Sequence, residues 1–118
     1  MKRNILLALF IALVSAVALP AQQSLRSAYF MEGVEAYGLK SYDIPVHKEA
    51  FIQALRENPI VVRVGPGSFI NAGHYMVVDS YKNNSFVIND PYNMRKNTLE
   101  NIPWWRLRGE VTVAWEIK

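Results

Sequence analysis

The chain contains no cysteine. Its absence excludes disulfide staples, a thiolate metal site, a lipidated N-terminal cysteine and any thiol nucleophile supplied by these residues. Histidine is scarce, at two residues, and neither stands with a third ligand at metal spacing, so the sequence points to no zinc site and no other cofactor. The longest apolar stretch, Ile5 to Leu19, is broken only by Ser15 and falls short of the roughly 20 residues of a comfortable bilayer span. Internal repeats, low-complexity tracts and linkers are also missing, and 118 residues allow one small domain.

The N-terminus accounts for much of the cationic excess. Lys2-Arg3, an apolar run to Val17 and the small residues Ala16-Val17-Ala18 form the charged, apolar and cleavage regions of a signal peptide, residues 1–18, with Ala21 as the alternative cleavage point. Losing Lys2 and Arg3 with the leader takes two from the 13 Lys and Arg that face 10 Asp and Glu. The mature chain is then close to neutral, with no basic stripe of the kind nucleic acids require. The expectation is an exported protein, extracellular or periplasmic, with membrane contact only if the leader stays on as an anchor. A mature part of about 100 residues must hold together by apolar burial alone.

Ser24 to Tyr37 places Leu25, Ala28, Tyr29, Met31, Val34 and Tyr37 at helical spacing, with Ser24 as N-cap and Gly38 as the left-handed stop that lets Leu39 fold back. Leu39 to Ile44 is extended and stopped by Pro45. Val46 to Glu57 is an amphipathic helix burying Val46, Ala50, Phe51, Ala54 and Leu55, with His47 on its polar face and Asn58-Pro59 ending it. Ile60 to Val64 is a strand. Gly65-Pro66-Gly67 makes a tight turn, since the lysine and helix of a phosphate loop do not follow.

From His74 a β-branched run reaches a Lys82-Asn83-Asn84 turn, and a second run ends at Asn89-Asp90-Pro91, the signature of a hairpin. Antiparallel pairing brings His74 and Asp90 to the same end of the ladder, where a carboxylate can orient and charge-stabilise an imidazole base. Thr98 to Asn101 is expected to open a short helix that Pro103 interrupts, with a restart at Trp104. Trp104 and Trp105 cannot both face inward, and Arg106 and Arg108 beside them read as a solvated cationic edge. In the last element, Glu110 to Lys118, Val111, Val113, Trp115 and Ile117 alternate with Thr112 and Glu116 as in a half-buried strand. Two helices, then strands gathered in the second half around one hairpin with a short late helix, make an α+β chain.

Three blocks, Pro59 to Gly67, Gly73 to Val78 and Asn89-Asp90-Pro91, resemble the C-terminal half of the C39-like peptidase domain in the papain-like cysteine peptidase superfamily. The likeness extends over residues 24–118. It implies that His74 matches the base and Asp90 the acid that orients it. It also implies a cysteine nucleophile on a central helix, preceded by a glutamine at the oxyanion hole. Six residues beyond Gln22 and Gln23 stand Ala28 and Tyr29, so no residue here matches the thiol, and Ser24 and Ser27 read as N-cap and helix surface. The expectation is a truncated C39-like domain, non-catalytic, binding a peptide or protein partner. One alternative is half of a cysteine peptidase completed in trans by a Cys-bearing segment; another is a membrane-tethered interaction domain.

Overall fold

A computed structural model of the chain describes residues 33–69, 73–90 and 98–118. The leader, most of the helix expected over residues 24–37, and Gln22, Gln23, Ser24 and Ser27 lie outside them. Its architecture is one six-stranded antiparallel sheet with helices, in the order β1 (Ser41–Ile44), α1 (Lys48–Leu55), β2 (Ile60–Val64), β3 (His74–Lys82), β4 (Ser85–Asn89), β5 (Thr98–Ile102), α2 (Trp104–Glu110) and β6 (Val111–Ile117). Across the sheet the strands run β1-β6-β2-β3-β4-β5, and every neighbouring pair is antiparallel. The α+β reading holds, with a larger sheet than expected. Among the described residues no helix is long and apolar enough to cross a membrane.

Residues 33–36 are helical, and Gly38 at φ 77° ends the turn. Its N–H donates to the Glu35 carbonyl at 2.9 Å and the Leu39 N–H to the Val34 carbonyl at 3.1 Å, the paired bonds of a Schellman stop. Val34 is fully buried and Leu39 packs beside it. Tyr37, the last of the residues at helical spacing, is 56% exposed.

Helix α1 is shorter than its apolar pattern. His47 is extended (φ −144°, ψ 136°) and serves as N-cap. At the other end the Glu57 and Asn58 N–H groups both reach the Ala54 carbonyl, tightening the chain into Pro59. Phe51, Ala54 and Leu55 are the buried face. They meet Ile60, Val62 and Val64 of β2, Met76 and Val78 of β3, and Phe86 and Ile88 of β4 in the larger core cluster. The opposite sheet face buries Val61, Tyr75, Val77, Trp115 and Ile117 with Val34.

Two local expectations change. Thr98 to Asn101 is strand: Thr98 and Leu99 pair with Asn89 and Ile88, and Asn101 at φ 60° is left-handed, which a helix interior does not accommodate. An edge of β4 with unpaired amides and carbonyls outweighed weak helix propensity, and Pro103 already biased Ile102 away from helix. Strand β6 is buried on both faces rather than one. Arg63 opposes Val113 and Val64 opposes Val111, so Thr112 is an extra, bulged residue. It turns Val111 onto the α1 side with Ala114, while Val113 and Trp115 stay on the other.

Candidate functional site

The β3–β4 hairpin closes on Asn83 and Asn84, at φ 54° and 61°, the two left-handed residues of a type I′ turn. From there the ladder runs back to the Val77–Asn89 pair, which sets Asp90 one step further, across from Met76. His74 opposes Val64 on the other side of β3. Because side chains alternate with period two, His74, Met76 and Asp90 share the face covered by α1. Both polar groups are buried, His74 at 2% and Asp90 at 4% exposure, and His74 Nε2 lies 3.7 Å from Asp90 Oδ1.

That separation is electrostatic contact rather than a direct hydrogen bond. Burial strips water from the imidazolium and lowers the His74 pKa from 6.5, while the Asp90 carboxylate pulls the other way and does not overcome it. The ring is therefore neutral at physiological pH. A carboxylate beside Nε2 favours the tautomer protonated there, so Nδ1 holds the accepting lone pair. This is the protonation state a base needs, in an imidazole closed off from solvent.

Trp104 is half-buried and packs edge-on against Phe51 at 5.2 Å, whereas Trp105 is 70% exposed. Trp115 is core, with Tyr75 at 6.2 Å. His47 is exposed at the start of α1. Arg108 is exposed as expected, but Arg106 is not a solvated edge. Its Nε donates to Ser68 Oγ at 2.8 Å, and its guanidinium lies 4.1 Å over the Phe69 ring.

These bonds belong to a cluster that the sequence did not announce. The Glu110 carboxylate accepts from the Ser68 hydroxyl and, at 3.4 Å, from the Phe69 N–H. The Glu110 carbonyl accepts from the Gly65 N–H at 3.0 Å. Ser68 and Glu110 are 42 residues apart, so no local pattern links them. The one available signal was Gly67, where an added Cβ would overlap the Glu110 side chain. Between this loop and α2 lies an open groove of about 570 Å³, lined by Ser68, Pro103, Trp105, Arg106, Gly109 and Glu110.

The six-stranded antiparallel sheet with its helices is a C39-like fold. The peptidase domain of Streptococcus mutans ComA superposes with a TM-score of 0.54 at 23% identity, over 75% of this chain and 70% of that one. The same domain in complex with a small-molecule inhibitor gives 0.57 at 22% identity, over 86% and 77%. No curated protein matches the sequence. Residues 15–116 match the Peptidase_C39 like family, and the chain belongs to that family.

Proposed function

We propose that this chain is an exported, non-catalytic member of its family that binds a peptide segment of a partner protein. The observation that carries the reading is the pairing of a cysteine-free sequence with a His74 imidazole only 2% exposed. In the papain-like arrangement that the family resemblance implies, the imidazole takes a thiol proton and the thiolate attacks the carbonyl. With no thiol, that bond does not form. Losing one member of such a unit commonly costs about six powers of ten in turnover.

Binding needs none of this. The groove beside α2 offers an exposed Trp105 over a largely apolar lining, with the exposed cation of Arg108 on the same helix. Tryptophan and arginine are the side chains that most often anchor a partner segment. Selection from a random peptide library on the purified protein should yield binders that Trp105→Ala weakens by tenfold or more, on the order of a hot-spot truncation. Failure to recover any binder, or binders indifferent to Trp105, would count against it. N-terminal sequencing of the exported protein should begin at Leu19 or Gln22; a start at Met1 would contradict cleavage.

The proximity of His74 and Asp90 favours a second reading, a peptidase completed in trans by a Cys-bearing segment. It predicts a neighbouring reading frame encoding a Gln and Cys segment. A genome without one would leave the binding reading alone.

A further inference from the structure

Four contacts converge on Glu110 at the end of α2. Its carboxylate takes the Ser68 hydroxyl and the Phe69 N–H, its carbonyl takes the Gly65 N–H, and its side chain fills the space where any Cβ at Gly67 would stand. From the opposite side Arg106 donates to the Ser68 hydroxyl and carbonyl oxygens, at 2.8 and 3.4 Å, and lies over the Phe69 ring. The loop from Gly65 to Phe69 is thereby held by a carboxylate below it and a guanidinium beside it. Both residues also line the groove that carries Trp105.

We propose that Glu110 is a positioning residue, which clamps the segment Gly65 to Phe69 against α2 so that the peptide groove is formed before anything enters it. The inference rests on the groove being the binding site, but the clamp itself is a property of the free protein. A charge-assisted bond is about twice as strong as a neutral one, and the clamp uses such bonds on both sides of Ser68. A loop held in one conformation contributes affinity by removing the ordering that binding would otherwise require. The neighbouring ladder, in which Val64 pairs with both Val111 and His74, does not depend on the carboxylate and should persist without it.

The test is backbone amide order parameters by NMR on the full chain without ligand. In the wild type Ser68 and Phe69 should sit near the rigid value of about 0.85, and in Glu110→Ala fall below about 0.6, while Val62 and Val77 stay unchanged. Glu110→Gln should restore much of the rigidity, because its amide oxygen can accept from the Phe69 N–H while its amide N–H donates to the Ser68 hydroxyl oxygen; a residue that merely fills space would not be rescued this way. Gly67→Ala alone should loosen the loop and add nothing in Glu110→Ala, where the colliding carboxylate is gone, a non-additivity expected only of groups in contact. Unchanged order parameters in Glu110→Ala, or additive effects of the two substitutions, overturn the clamp. Should Glu110→Ala fail to fold, Arg106→Ala removes the other side of the clamp and is read by the Ser68 and Phe69 order parameters alone; unchanged values there overturn the clamp. Selected peptides should bind Glu110→Ala about tenfold more weakly, consistent with a lost charge-assisted bond. A rigid, clamped loop in a protein that selects no peptides would sink the binding reading and leave the clamp standing.

Discussion

Phe51→Ala should remove a large part of the stability of the sheet and its helices. Phe51 is fully buried and meets Phe86 edge-on at 6.3 Å and Trp104 at 5.2 Å, so one ring joins α1, β4 and α2. Alanine keeps Cβ and leaves the ring's volume empty, between strands whose ladders prevent collapse. Substitutions of this kind cost about 3–5 kcal/mol, of which the lost aromatic pairs supply about 0.5–1.5 kcal/mol each. A small domain has roughly 5–15 kcal/mol in all. Phe51→Leu refills most of the space and should cost about half as much. Urea unfolding followed by tryptophan fluorescence measures it, with Trp105→Ala as the surface control expected within about 0.5 kcal/mol. A Phe51→Ala loss below about 1 kcal/mol at unchanged denaturant slope would refute the aromatic cluster as the centre of the core.

The pH dependence follows from His74. Its native pKa is below 6.5, so below that pH the unfolded chain binds a proton that the native state refuses. The His74 contribution is complete above 6.5 and is lost as pH falls through the native value. Unfolding measured across this window should show stability dropping on acidification, and His74→Gln should flatten that part of the curve; a rise on acidification would contradict buried, neutral His74. At the hairpin, Asn84→Gly should be neutral or slightly stabilising. Asn84→Val should cost about 1–2 kcal/mol, because a β-branched residue resists φ 61°. Equal thermal midpoints for the two variants would be inconsistent with a type I′ turn.

What the sequence showed and what it hid divide along contact range. Helix α1, strand β2, the hairpin and the Gly38 stop all rest on neighbours within a few residues, and periodicity with turn chemistry is sufficient for them. That His74 and Asp90 lie at the same end of the hairpin was legible from antiparallel pairing, but that they share a face was not: unbroken pairing from the Asn83-Asn84 turn would set Asp90 against Val77, and the register shift between Val78 and Ser80 moves it to Met76, on the His74 face. Strand β5 was not legible either, since Thr98 to Ile102 becomes strand only by completing the edge of β4. The bulge at Thr112 was hidden for a related reason: alternation in β6 looks unbroken until β2 is laid beside it, and only the register with Arg63 and Val64 sends Val111 to the other face. The Glu110 cluster joins positions more than 40 residues apart in the chain, and Arg106, which reads as surface charge, is occupied by it. The burial of His74 likewise depends on elements packed over the sheet, not on the hairpin itself.

Binding without cleavage, as proposed for these residues, is measured most directly by mass spectrometry of a peptide pool after prolonged incubation with the purified protein, wild type against His74→Ala. Intact peptides are expected with both, with retention of a bound subset that depends on Trp105. Cleavage products that appear with the wild type and vanish with His74→Ala would contradict that expectation.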